Sequence, residues 1–214
     1  MASPKGRILS LLGGLLLREH PIAAVVPISP RFRLIRLGPP EPGLRPGDKV
    51  QVLLPGDDVR TYTPFLDEGR LCLLAWLPGR GPGSRWAASA PAGTLRFVGP
   101  QRSLTLPDGP VSLVGDETSL AVAVAYQRDR AGVEAFIETE AEGEVAAVAA
   151  ALGARLTTFR RGEHAAIAAA VRRAGRPTGL TGGAALITGV RGALGGAVPI
   201  KPKAYWAEGK IGLD

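Results

Sequence analysis

Apolar and polar residues alternate along this chain with two different periods, and the period changes near residue 108. Before that point the apolar runs are short. Phe32-Arg33-Leu34-Ile35-Arg36-Leu37 and Lys49-Val50-Gln51-Val52-Leu53-Leu54 carry period-two character, which predicts strands with one solvated face. Further strands are expected over residues 22–26, 60–63, 71–77 and 94–98, and a short helix over 86–90. Pro46-Gly47-Asp48, Pro55-Gly56-Asp57-Asp58 and Pro91-Ala92-Gly93 are turn signals between them. Short strands at this spacing predict a small antiparallel β-barrel. After residue 108 strands alternate with helices. Strands are expected over 111–115, 133–138, 155–159 and 184–189, and helices over 119–127, 143–152 and 163–174. That alternation predicts βαβ units and a parallel sheet. The expected organisation is therefore two domains, a barrel over 20–107 and an α/β domain over 108–214, joined through Leu106-Pro107-Asp108-Gly109-Pro110.

Residues 1–19 stand apart. Pro4-Lys5-Gly6-Arg7 and the apolar run after it resemble a short signal peptide, but Arg18-Glu19-His20 lies where a small-residue cleavage site belongs. Apolar positions 8, 11, 12 and 15 share one helical face, so an attached amphipathic helix is expected over 1–19. The run is too short to span a bilayer, and no stable membrane insertion is expected.

Composition sharpens the picture. The 214 residues are 45% apolar, with 29 glycines and 19 prolines lacking a three-residue period; this fits a loop-rich globular protein and excludes collagen. The net charge is +7, distributed unevenly. Residues 1–110 carry 14 basic and 8 acidic side chains, residues 116–144 carry 2 and 8, and residues 145–214 carry 10 and 3. A basic surface attracts anions of many kinds. Aromatics are only 5% and show no stacking motif or zinc-finger spacing, so no nucleic-acid partner is expected. The single cysteine, Cys72, excludes an internal disulfide and reads as a core residue within Leu71-Cys72-Leu73-Leu74. His20 and His164 fit no zinc-ligand pattern, and no metal site is expected.

Four stretches carry candidate chemistry. In Arg60-Thr61-Tyr62-Thr63, strand alternation puts Arg60 and Tyr62 on one face. That pair suits a ligand with a flat ring and a phosphate, or simply a solvated strand edge. In Gly81-Pro82-Gly83-Ser84-Arg85-Trp86-Ala87, a turn delivers Ser84 to a helix start, as an N-cap or as part of a pyrophosphate cradle. Gly115-Asp116-Glu117-Thr118-Ser119 joins a strand to a helix, where open α/β sheets bind ligands, but lacks a G-x-G-x-x-G fingerprint. Its acidic pair also suits a helix N-terminus without any ligand. Finally, Lys201-Pro202-Lys203-Ala204-Tyr205-Trp206-Ala207-Glu208-Gly209-Lys210 places two adjacent aromatics near the chain end, expected to dock on the core.

In order, Arg-Thr-Tyr-Thr, Gly-Pro-Gly-Ser-Arg-Trp-Ala, Gly-Pro-Gln-Arg-Ser, Gly-Asp-Glu-Thr-Ser-Leu and Tyr-Trp-x-x-Gly-Lys resemble the siderophore-interacting proteins, flavin-dependent ferric-siderophore reductases of the ferredoxin–NADP reductase superfamily. The resemblance covers roughly residues 22–214. It implies an FAD-binding antiparallel barrel followed by an NAD(P)H-binding α/β domain. It implies Arg60, Tyr62 and Thr63 against the flavin and its phosphates, and Gly83, Ser84, Arg85, Trp86 and Ala87 as the pyrophosphate-side loop and helix start. Gly115, Asp116, Glu117 and Thr118 would open the pyridine-nucleotide domain, and Tyr205 and Trp206 would close near the flavin. The implied activity is hydride transfer from NADPH or NADH to FAD and electron transfer to a ferric siderophore, with release of Fe(II), in a cytoplasmic monomer or homodimer. Lys201, Lys203 and Lys210 are candidates for receiving an anionic siderophore. No side chain is expected as an acid–base catalyst.

Two departures from that pattern stand out. The family pattern continues Arg-x-Tyr-Thr-x-Arg, whereas this chain has Phe65. It also tends to have His-Gly before the Gly-Pro turn, whereas this chain has Leu77-Pro78-Gly79-Arg80, with Arg80 a candidate for restoring the lost charge. Two alternatives therefore stay open: a general flavin or ferric reductase on the same fold, and a non-catalytic relative that binds siderophore or nucleotide. NADH and NADPH also stay open, because the sequence does not place Arg160 and Arg161 relative to the second strand of the α/β domain.

Overall fold

The computed structural model describes residues 17–79, 81–89 and 91–209. Most of the expected helix over 1–19 and also Arg80 and Lys210 lie outside these residues. The described residues form two compact units, divided between Ser103 and Leu104.

In the first unit, eight strands form two antiparallel sheets. The strands are β1 (Arg18–Pro21), β2 (Ala24–Pro27), β3 (Phe32–Arg36), β4 (Asp48–Leu54), β5 (Asp58–Tyr62), β6 (Pro64–Asp67), β7 (Arg70–Trp76) and β8 (Thr94–Arg102). One sheet runs β1-β8-β4-β5 and the other β2-β3-β7-β6. Their inward faces supply one core: Ile35 of β3, Val50, Val52 and Leu54 of β4, Leu71, Leu73 and Ala75 of β7, and Leu95 and Phe97 of β8. The alternation expected in β4 is observed, with Val50 and Val52 buried and Lys49 and Gln51 half-buried. This is the antiparallel barrel-type unit expected from the turn spacing. Cys72 is buried in β7, as expected.

Two expectations in this unit need correction. Arg18 and Glu19 belong to β1, paired with Arg96 and Phe97 of β8, so the helix expected over 1–19 does not extend through them. The sheet decides this, because pairing gives the backbone of residues 18–21 partners that an isolated helical turn would have to supply itself. The short helix, α1, runs Pro82–Ala88 and so starts four residues before the expected Trp86. Pro82 at its first position has the pre-set φ that favours this start.

The second unit contains β9 (Val111–Gly115), a 3-10 turn (Glu117–Ser119), α2 (Leu120–Asp129), β10 (Val133–Thr139), α3 (Glu142–Ala151), β11 (Thr157–Arg160), α4 (His164–Ala174), β12 (Thr178–Gly183), α5 (Ala184–Leu194) and β13 (Ile200–Trp206). Its sheet is parallel throughout, in the order β11-β10-β9-β12-β13. Both faces are covered. Val114 packs with Ile167, Val171, Leu186 and Val190 of α4 and α5, while its neighbour Leu113 packs with Val122 and Tyr126 of α2. Successive residues of a strand face opposite ways, so the mostly apolar β9, buried at every position, suits a strand covered on both sides. The Tyr126 hydroxyl donates to the Leu104 carbonyl at 2.9 Å and accepts from the Leu106 N–H at 3.3 Å, holding the entry segment on the unit.

Residues 184–189, expected as a strand, begin helix α5 instead. The strand is the preceding stretch, Thr178-Gly179-Leu180-Thr181-Gly182-Gly183. A short apolar run does not distinguish the two by periodicity, and β12 carries three glycines, which are poor strand formers. They are needed by packing: a Cβ on Gly179 would stand 2.9 Å from Leu113 Cδ2. The C-terminal segment expected to dock on the core is a paired edge strand, β13.

Candidate functional site

The first candidate site grows from strand β5. Tyr62 pairs with Val50 and Arg60 with Val52, so both lie on the core-facing side of the sheet, while Thr61 is exposed. The expected alternation is observed, and it leaves Arg60 and Tyr62 half-buried rather than on a solvated edge. Tyr62 packs against the barrel core and its ring centroid lies 6.2 Å from that of Trp86. Burial pushes the Tyr62 phenol up to about 12, although the Arg60 cation pulls it the other way. The Arg60 guanidinium donates to the Val59 carbonyl at 2.6 Å and lies 3.8 Å from Asp58 Oδ1. Thr63 follows at half-burial between β5 and β6.

The second motif meets the first. A Cβ on Gly83 would lie 3.0 Å from Tyr62 Oη and 3.3 Å from Arg60 Cγ. A side chain at position 83 would crowd both residues, so glycine suits this close approach of α1 to β5. Ser84 is not the N-cap: that position is Gly81, and the Ser84 hydroxyl donates to the Trp76 carbonyl at 3.2 Å. The close approach explains the change, because the serine now lies inside the first turn and its hydroxyl finds β7. Ala87 is buried in the core and Arg85 is exposed. The result is a cation, a phenol, an indole and a glycine-bearing helix start in one place, suited to holding a flat ring with an attached phosphate. Phe65, at the position of the missing arginine, is 2% exposed in the core.

The second candidate site lies in the other unit, at the C-terminal ends of the parallel strands. β10 and β12 flank β9, so the chain reverses its direction of winding there, and ligands of open α/β sheets bind in such a crevice. A Cβ on Gly115 would lie 2.2 Å from Ser119 Cβ, so the turn closes only with glycine. The Asp116 carboxylate is buried and accepts from the Thr118 N–H at 2.9 Å, the Gly183 N–H at 2.7 Å and the Trp206 indole N–H at 2.8 Å, together with the Thr118 hydroxyl. It thus ties the turn after β9 to the ends of β12 and β13. Burial pushes its carboxyl up, and the donors from Thr118, Gly183 and Trp206 pull back only in part.

Glu117 is also buried. It accepts from Thr139 Oγ1 at 2.7 Å and from Arg161 Nη2 at 2.9 Å and 3.0 Å. Burial disfavours the Arg161 cation, but Glu117, Glu138 and Asp116 outweigh it and hold its pKa above the ordinary value. Buried Glu138 accepts from the Gly162 N–H at 2.6 Å and lies 3.1 Å from His164 Nε2. A Cβ on Gly189 would lie 2.0 Å from His164 Nδ1, so α5 leaves room for that ring. Glu138, Thr139, His164 and Gly183 are additional to the expected site residues, and Arg161, which the sequence left unplaced, joins them. An acidic residue closing the apolar run 135–137 is the signal that would have marked Glu138.

Trp206 is 42% exposed and lies over Gly183, where a Cβ would stand 2.7 Å from its ring. Tyr205 packs against the α2 side of the sheet. Both aromatics pack within the second unit. Lys201 is exposed and Lys203 half-buried on the same strand.

No family model and no curated protein matches the chain. Solved structures do. A siderophore utilization protein from T. fusca superposes with a TM-score of 0.69 at 23% identity, over 92% of this chain and 95% of that one. The siderophore-interacting protein SipS from Aeromonas hydrophila gives 0.70 at 21% identity, over 92% and 93%. A ferredoxin NADP+ reductase from Neisseria gonorrhoeae, with bound FAD and NADP, gives 0.71 at 14% identity, over 90% and 100%. The chain has the ferredoxin reductase-like fold, and its motif resemblance to siderophore-interacting proteins extends to the three-dimensional structure.

Proposed function

We propose that this protein is an FAD-dependent, NAD(P)H-linked reductase of ferric siderophores. The observation that carries the reading is the contact of Gly83 with Arg60 and Tyr62, which unites two motifs separated by about twenty residues of chain. Those residues fit the flavin: Tyr62 and Trp86 offer ring surfaces, and Arg60 and the α1 start offer donors to phosphate oxygens. Thr63 and Arg85 flank that surface. Bound FAD would supply the conversion between a two-electron donor, NAD(P)H, and a one-electron acceptor, ferric iron.

The chain's own residues bind and orient. Gly115, Asp116, Glu117 and Thr118 shape the crevice for the pyridine nucleotide. Trp206, held by Asp116, walls it, and Tyr205 anchors the same strand. Lys201 and Lys203 present positive charge to a ferric siderophore, which is often anionic; Lys210 lies outside the described residues. No proton transfer is asked of any side chain. Among the described residues no helix is long and apolar enough to cross a membrane. We read the protein as a cytoplasmic monomer or homodimer.

A second reading has its own support. Phe65 is buried where the family pattern has an arginine, so one phosphate contact is gone. This favours a non-catalytic relative, or a general flavin or ferric reductase. The deciding measurement is the absorbance spectrum of the protein after FAD addition and desalting, followed by anaerobic NAD(P)H and a ferric siderophore. About one equivalent of retained flavin, bleached by the nucleotide and reoxidised with Fe(II) formation, is expected. Absence of retained flavin would favour the non-catalytic relative, and reoxidation by simple ferric chelates only would favour the general reductase.

A further inference from the structure

We infer that Asp116 is a positioning residue: it fixes the Trp206 indole as a stacking wall for a flat heteroaromatic ring of the nucleotide. The inference rests on the nucleotide-binding reading above and adds to it the group that receives the ring. Asp116 follows β9 and Gly183 ends β12, the strand beside it, so the two lie where open α/β sheets take their ligands. That placement follows from strand order alone and needs no phosphate-binding fingerprint.

The Asp116 carboxylate is 1% exposed. Its Oδ1 accepts from the Thr118 N–H and hydroxyl, and its Oδ2 from both the Gly183 N–H and the Trp206 Nε1–H. Two glycines make room for this arrangement. A Cβ on Gly182 would lie 2.6 Å from Asp116 Cγ, and one on Gly183 would lie 2.7 Å from Trp206 Cζ2. The indole is thus held at both ends: its N–H meets a buried carboxylate, and its benzo edge lies over Gly183. Yet Trp206 remains 42% exposed. Fastening β13 would be served better by a ring buried in the core, because stability comes from apolar area removed from water. An oriented indole with open surface at a ligand crevice instead suits stacking, and both the nicotinamide and the adenine of a pyridine nucleotide are flat rings. The charged groups around Asp116 are Glu117 beside it in the turn and Arg161 after β11, with Lys203 further back on β13. Burial pushes the Asp116 carboxyl up, so the carboxylate acceptor is lost as pH falls through that raised range.

The test is a fluorescence titration of the full chain with NAD+ and NADP+, and with nicotinamide mononucleotide and ADP as fragments. Nucleotide should quench a tryptophan component that is absent in Trp206→Leu, and the fragment that quenches identifies the ring. Asp116→Asn should weaken binding about tenfold, the scale of one base–aromatic stack, with an unchanged circular dichroism spectrum. In the Trp206→Leu background the same change should have no further effect, since Asp116 acts through the indole. Where a variant fails to fold, the wild type decides: its affinity should fall as pH is lowered from neutral toward the ordinary carboxylate range, and pH-independent binding overturns the inference. Full affinity in folded Asp116→Asn, or losses that add in the double variant, also overturn it and leave the nucleotide-binding reading intact. Binding of neither nucleotide overturns both.

Discussion

At the scale of single residues, glycines and buried polar groups decide the geometry. Gly83 is glycine because Tyr62 Oη and Arg60 Cγ occupy the space of a side chain, and Gly115 because Ser119 does. These requirements are invisible in sequence, where each glycine reads only as a turn. The alternation that put Arg60 and Tyr62 on one face was legible, but not the fact that this face points into the barrel core. Tyr62 offers a test. Its phenol is raised to about 12 by burial, so the folded state keeps its proton to higher pH than the unfolded chain, whose tyrosines ionise near 10. The stability tied to this group is complete below about pH 10 and is lost as pH rises from about 10 to 12. A spectrophotometric titration should show a late tyrosine component that is lost in Tyr62→Phe.

At the scale of elements, local pattern succeeded where one periodicity dominated. Strand β9 is found over Val111–Gly115 as expected, because a short, mostly apolar run rich in β-branched residues and bounded by Pro and Gly is too short for a helix. It failed where packing overrides composition. β12 contains three glycines in six residues and is nonetheless a buried interior strand, since Leu113 on one neighbour and Trp206 on the other fill the space. β13 is an edge strand whose Pro202 lacks an N–H, and such prolines are tolerated at edges. Its C-terminal end is fastened by the Trp206–Asp116 hydrogen bond. Trp206→Phe leaves a smaller aromatic ring and removes both the donor to a buried carboxylate and the indole packing on Gly183. A loss of about 1–3 kcal/mol is expected in urea unfolding; an unchanged midpoint would mean that the bond adds nothing to stability.

At the scale of the whole molecule, charge and fold point to the same class of partner. The +7 net charge draws anions from a distance. Lys201 is exposed on the edge strand. Lys201→Glu should slow reduction of an anionic ferric siderophore severalfold at low salt. The effect should vanish near 0.5 M salt, where the screening length is only a few ångströms, and with an uncharged siderophore. Stopped-flow rates at two ionic strengths read this directly, and a salt-independent effect would mean that Lys201 acts through contact rather than field.

The sequence by itself determined the succession of an antiparallel unit and an α/β unit, because the period of an amphipathic pattern follows from local backbone geometry. It also determined the ordered motifs that resemble siderophore-interacting proteins. The tertiary structure decided what those motifs do for one another. Only packing brought Gly83 to Arg60 and Tyr62, and only the parallel pairing of β9, β12 and β13 brought Asp116 to Gly183 and Trp206, 67 and 90 residues further along the chain. Contacts at such separations depend on strand order and close approach, and a linear pattern of apolar and polar positions encodes neither.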